Sequence, residues 1–161
     1  MTNDRLSAED IRSHKGISFV GVTTCFWCYN KNGEFWLAKR SRNTRDEQGT
    51  WEPGGGGLKW GSTAEDNVIR EVKEEYGATA EKITFLGYRD AFRSLADGTP
   101  THWLGLDFAV LVDKKQMKIN EPHMFDDASW FNLDELPQPL HSQIPVALEM
   151  YGDQLKKLAQ N

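Results

Sequence analysis

Four consecutive glycines, Gly54 to Gly57, run toward the segment of this chain with the strongest helix signals. Glycine reaches backbone angles closed to other residues and lets a backbone come close to a ligand, so such a run forms a loop of unusual shape. Just downstream, Ser62-Thr-Ala-Glu65 has capping-box spacing, Val68, Ile69, Val72 and Tyr76 form an apolar stripe, and Gly77 is a stop signal. The spacing predicts a helix over 62–76 that begins at Ser62. On it Glu71, Glu74 and Glu75 stand at i, i+3 and i+4 and share a face. Like charges this close repel unless the face is fully solvated or a divalent cation sits among them, since hard cations such as Mg²⁺ take oxygen ligands and bridge carboxylates to phosphates. Alone, the glycines read as a surface turn and the glutamates as a solvated face. A glycine loop beside a tri-carboxylate face is more specific.

The surroundings suit a mixed fold. Two strand-like runs, 17–29 and 34–39, flank Asn30-Lys-Asn-Gly33, whose Asn-Gly pair supplies the positive φ angles of a tight hairpin. Residues 41–61 form a connection long enough to be functional. Further strands are predicted over 82–93, 101–112 and 128–131, with a final amphipathic helix over 144–159 marked by Leu148, Tyr151, Leu155 and Leu158. Residues 1–16 read as a short helix or loose arm, and 17–161 as one domain. The expected class is α+β, an α/β/α sandwich with a mixed sheet between helices.

Composition limits the function. The 161 residues, 39% apolar, carry a net charge of −5; that sign opposes polyanions and argues against stable nucleic-acid or membrane-surface binding. No apolar run approaches the ~18 residues of a spanning helix, and 1–16 lacks a signal-peptide core, so a cytoplasmic location is expected. Cys25 and Cys28, three apart in a strand, face opposite sides, which favours packing over a redox or zinc pair.

Gly56, then thirteen residues, then Arg70-Glu71-Val72-Lys73-Glu74-Glu75-Tyr76-Gly77-Ala78 resembles the Nudix box. Leu37-Ala-Lys-Arg40, Gly49-Thr-Trp51, Asn120-Glu121-Pro122 and Trp130 to Pro137 resemble flanking stretches of Nudix hydrolases, so the likeness covers roughly 19–151. It implies the Nudix fold and hydrolysis of a nucleoside diphosphate linked to another group, with Mg²⁺ or Mn²⁺ as cofactor. Such ions offset the diphosphate's charge and lower the pKa of water from ~15.7 toward ~7. The resemblance makes Glu71, Glu74 and Glu75 metal ligands, adds the carbonyl of Gly56 or Gly55, and gives Arg70 the task of orienting the glutamates. Arg70 could instead pair with Asp66 at the surface. Glu71 or another carboxylate is the general base; Glu121 is the candidate from the opposite loop, with Asp126 and Asp127 as competitors.

Arg40 and Arg42 could clamp phosphate with their planar forks, and Trp51, like Trp36, Trp60 and Trp103, could stack on a base or simply fill the core. His102, His123 and His141 receive no role. The pattern breaks at Ser62, where the family has its first glutamate, and Lys59 also stands where a glutamate is frequent. This motivates a second reading, a catalytically weak nucleotide-binding or regulatory protein. An isomerase of allylic diphosphates, which shares the fold by resemblance, needs a cysteine near the glycine loop, and 51–61 has none. The expected partner is a small nucleotide, with a homodimer compatible.

Overall fold

A computed structural model describes residues 7–160. The elements in chain order are α1 (Ala8–His14), β1 (Gly21–Tyr29), β2 (Phe35–Arg40), β3 (Trp51–Glu52), β4 (Gly55–Gly57), α2 (Ala64–Tyr76), β5 (Ala80–Ser94), β6 (Pro100–Val112), β7 (Phe125–Phe131) and α3 (Gln143–Ala159). Met1 to Leu6 of the expected arm lie outside the described residues. α1 follows the Ser7-Asp10 signal with a complete capping box.

One seven-stranded mixed sheet runs β3-β2-β1-β6-β5, with β4 pairing β1 and β7 pairing β2. β1 and β6 are parallel in register from Gly21↔Trp103 to Tyr29↔Leu111, while β5 and β6 are antiparallel. The expected hairpin closes as predicted but holds only at Tyr29↔Phe35. Beyond that pair the strands part, and at the other end of β1 the glycine strand β4 takes the place beside it, Thr24 opposite Gly56. The long 41–61 connection is thus partly strand.

Period-2 alternation splits the apolar residues into two cores. Phe26, Cys28, Trp36, Ala38, Phe108 and Val110 face α2 and pack on Val68, Val72 and Tyr76. Trp27, Tyr29, Phe35, Leu37 and Ala109 face α3 and pack on Ile144, Ala147, Tyr151 and Leu155. The helices cover opposite faces, the predicted sandwich. Among the described residues no helix is long and apolar enough to cross a membrane.

Two details of α2 differ from expectation. Its N-cap is Thr63, whose side chain accepts from the Asp66 N–H; Ser62 only donates to the Thr63 carbonyl at 3.3 Å. Ile69 is 47% exposed and leaves the stripe to Val68, Val72 and Tyr76, spaced i, i+4, i+8 along the buried line.

Candidate active site

A second line on α2, Asn67, Glu71 and Glu75, also spaced i, i+4, i+8, runs beside the core stripe and faces the glycine loop. Asn67 is fully buried. Its Nδ2 donates to Thr24 Oγ1 at 2.8 Å and to the Gly56 carbonyl at 3.4 Å, and its Oδ1 accepts from the Lys59 N–H at 3.3 Å and from Arg70 Nη2. The Gly56 carbonyl also accepts from Thr23 Oγ1 at 3.0 Å and Thr24 Oγ1 at 3.2 Å. Helix, loop and β1 are therefore tied at one point. A Cβ on Gly56 would lie 2.2 Å from the Glu71 carboxyl carbon, so any side chain there would push the Glu71 carboxylate out of place. Tyr76 adds a second tie, its hydroxyl donating to the Pro53 carbonyl at 2.9 Å.

Arg70 turns inward rather than toward Asp66. Nη2 donates to Glu71 Oε1 at 2.8 Å, and Nη1 stands 3.8 Å from Glu74 Oε2. The three glutamates differ in setting: the Glu71 side chain is 13% exposed and that of Glu74 46%, while Glu75 is buried with Oε2 lacking any hydrogen-bond partner. Burial raises the Glu71 pKa, opposed by Arg70 and reinforced by Glu74 and Glu121. Burial also pushes Glu75 well above the carboxylate range, reinforced by the charges of Glu52, Glu71 and Glu121 and countered by the Gly55 backbone N–H.

Glu121 reaches this cluster because its loop docks on the end of α2: the Asn120 N–H donates to the Glu75 carbonyl at 2.8 Å and Asn120 Nδ2 to that of Glu74 at 2.9 Å. Asp126 and Asp127 are exposed on β7. Among the described residues no three His, Cys, Asp or Glu side chains converge closely enough to surround an ion; Arg70 holds Glu71 and draws Glu74 outward. The chemistry of the donors still suits a hard cation: an all-oxygen set, a buried carboxylate oxygen without a partner, and a backbone carbonyl fixed by three donors.

On the α3 side of the glycine loop lies a cavity of about 250 Å³, lined among others by Gly54, Gly55, Gly57, Glu52, Trp103, Arg89, Arg93 and His141. Arg40 lines it too, but its guanidinium is engaged by Glu52 Oε1 at 2.6 Å and by Asp46 Oδ1 and carbonyl at 2.9 Å. Those donors hold Glu52 and the 41–50 loop. Arg42 is exposed and outside the cavity. Trp51 is 8% exposed, packs edge-on against Phe131 and belongs to the α3-side core, the packing alternative of its two expected uses. Trp27 and Trp103 line the cavity; the Trp103 indole is pressed on Gly16 and Gly21, where any Cβ would clash, with Arg45 over the ring at 5.6 Å.

Glu47, in the left-handed region at φ 48°, ties its loop to Ser142 at the start of α3 and to Arg93 of the cavity wall. Its carboxylate accepts from the Ser142 N–H at 2.6 Å, Ser142 Oγ at 2.7 Å and Arg93 Nη1 at 2.8 Å. His141 stands beside it, its pKa lowered by burial against the pull of Glu52 and Glu47. Cys25 lines the cavity with its thiol pushed up to about 12 by burial and then by Asp107, and Cys28 sits in the opposite core with its thiol raised by burial. Neither forms a thiolate at neutral pH, as their packing reading requires.

Sequence reasoning did not pick out Asn67 or Glu52, gave His141 no role, and named Trp103 only among four tryptophans that could stack on a base or fill the core. Asn67 alone left a trace, a polar residue one step ahead of an apolar line and four before Glu71.

The NUDIX domain profile matches residues 20–151. The nucleoside triphosphatase NudI of Enterobacter sp. (strain 638) is 32% identical over 112 residues, covering 65% of this chain and 77% of that protein. Among solved structures, the MutT NUDIX hydrolase of Burkholderia pseudomallei is 31% identical with a TM-score of 0.71, covering 82% of this chain and 98% of that one. The NUDIX domain of Shewanella oneidensis NrtR, solved with ADP ribose, shares the fold at 16% identity and a TM-score of 0.69, covering 93% of this chain and 99% of that one. Sandwich, glycine loop and matches together define a nucleotide pyrophosphohydrolase, an enzyme acting on acid anhydrides. The chain belongs to the NUDIX family.

Proposed function

We propose that this enzyme hydrolyses a nucleoside triphosphate in a reaction dependent on Mg²⁺ or Mn²⁺. The observation that carries the reading is the juxtaposition, across a few glycines, of a partnerless buried carboxylate oxygen on Glu75 and a cavity sized for one nucleoside. About 250 Å³ falls below the ~300–1,000 Å³ of pockets for drug-sized ligands, which favours a mononucleotide over a dinucleotide. The names of the NudI relatives support the same substrate class.

Glu71, Glu74, Glu75 and the Gly56 carbonyl would hold the cation, which when bound supplies positive charge to the phosphates and acidifies the attacking water. Arg70 positions Glu71 and Glu74, and Asn67 with Thr23 and Thr24 positions the Gly56 carbonyl. Water attacks one phosphorus of the anhydride, a new P–O bond forms, and the bridging P–O bond breaks with its electron pair leaving on the departing phosphate. Glu121 or Glu71, both facing the cluster, takes the water's proton. Little covalent work remains for the protein beyond placement and charge. Location in the cytoplasm fits such a metabolite-directed enzyme.

The test is incubation with nucleoside triphosphates, nucleotide sugars, dinucleoside polyphosphates and dinucleotide cofactors under Mg²⁺, Mn²⁺ or EDTA, beside Glu74→Gln/Glu75→Gln. Metal-dependent triphosphate turnover, lost in the variant, is expected. Stoichiometric nucleotide binding without turnover would establish the catalytically weak reading that Ser62 motivates.

A further inference from the structure

On the cavity wall, Arg89 of β5, Asp107 of β6 and Gln143 of α3 form a network the hydrolytic chemistry leaves unused. Asp107 is fully buried and Arg89 8% exposed. Arg89 Nε stands 3.0 Å from Asp107 Oδ2, an ion pair whose N–H direction is too oblique for an aligned hydrogen bond. Arg89 Nη1 donates to Gln143 Oε1 at 2.8 Å, and Nη2 makes only a weak 3.6 Å contact with Cys25 Sγ. The Arg89 side chain packs over Gly105 of β6 at an ordinary contact distance, 3.7 Å from where a Cβ would stand.

These bonds fix the polarity of the wall. Because the Gln143 oxygen is taken by Arg89, its amide nitrogen is the end left over, and it makes no hydrogen bond among the described residues. Each terminal nitrogen of Arg89 keeps a further N–H. Asp107, an acceptor, has no exposure and acts through Arg89. What Arg89 and Gln143 offer a ligand is a set of donors, one of them charged, in a site where an unmatched polar group is costly.

Resting on the nucleoside triphosphate reading above, we propose that Arg89 and Gln143, held by Asp107, are specificity determinants that select bases with a carbonyl oxygen at the six-position of a purine or the four-position of a pyrimidine. Hypoxanthine, guanine, uracil and thymine present that acceptor; adenine and cytosine present an amino group that would meet donors with donors. Trp103, braced on Gly16 and Gly21, supplies the flat apolar wall for the ring.

Two substrate pairs that differ at this edge, ITP against ATP and UTP against CTP, test the inference by kcat/KM with Mg²⁺ and by calorimetric binding in EDTA. A charged hydrogen bond gained against a donor clash predicts a preference of about 10- to 100-fold for ITP and UTP. Gln143→Met, which leaves the Arg89–Asp107 pair in place, is expected to shrink both ratios by lowering use of ITP and UTP more than of ATP and CTP. Arg89→Lys should do the same, provided its circular dichroism matches the parent. Equal use and equal binding within both pairs, a preference for ATP and CTP, or ratios untouched by Gln143→Met would overturn the inference and leave triphosphate hydrolysis standing. Turnover of none of the four, with the binding preference intact, would overturn the substrate reading and support base selection.

Discussion

At Gly56 the absence of a side chain is itself a functional requirement. A Cβ there would overlap the Glu71 carboxylate at 2.2–2.6 Å, so Gly56→Ala is expected to displace Glu71 and lower kcat by at least about tenfold, the size of one misplaced catalytic contact, while circular dichroism stays native. His141 makes a pH-dependent contribution of definite sign. Its folded pKa lies below the usual 6.5, so the unfolded chain takes up the proton first, and stability present above pH 6.5 is lost as pH falls. Glu47, its pKa lowered by the Ser142 and Arg93 hydrogen bonds against burial, loses its contribution lower, as pH falls through the carboxylate range. Melting temperature should therefore drop as pH goes from 7 to 5, and drop less in His141→Gln. Equal slopes in both proteins would contradict the burial of a neutral imidazole.

At the level of elements, the start of α2 separates the chain's nominal cap from its working one. Thr63→Ala removes the side-chain acceptor of the Asp66 N–H and should cost about 1 kcal/mol in urea unfolding, whereas Ser62→Ala should change stability by less than about 0.5 kcal/mol. The sequence carried the α2 and α3 helices and the mixed α+β class, because these follow from periods of 2 and 3.6 and from cap and stop residues. It misassigned Ser62, since Ser-x-x-Glu and Thr-x-x-Asp overlap by one residue and only the backbone angle chooses between them. Trp51 and Trp103 were indistinguishable in sequence for a related reason: both are strand residues preceded by a polar one, and only the pairing of β3 with β2, and of β6 with β1, decides which ring faces the core and which the cavity. Arg40 read as a free cation because its partners, Glu52 and Asp46, reach it through a turn whose course no local pattern specifies. His141 gained its surroundings from three separate segments.

For the molecule as a whole, the carboxylate cluster is a concentration of like charge that the fold keeps in place at some expense in stability. A divalent cation that binds the native state alone stabilises it by mass action, about 2.7 kcal/mol at a hundred times its Kd. Mg²⁺ or Mn²⁺ is thus expected to raise the melting temperature in a dose-dependent way, EDTA to reverse it, and Glu74→Gln/Glu75→Gln to abolish the response while itself melting higher than the parent in EDTA. A metal response unchanged in that variant would place the ion elsewhere.

The parallel pairing of β1 with β6 joins Gly21 to Trp103 and Tyr29 to Leu111, and closing so wide a loop carries an entropic cost that slows folding. The hydroxyls that grip the Gly56 carbonyl sit on β1, and the donors of Arg89 lie on the strand that β6 holds in place. During synthesis, a ribosome-bound chain ending before β6 would therefore already contain Gly56, the α2 glutamates and the β1 hydroxyls, yet β1 would lack the parallel neighbour that holds it in the sheet. Catalytic competence should emerge in one late event, after β6 and the Glu121 loop and α3 that follow it, and not build up gradually as the chain lengthens.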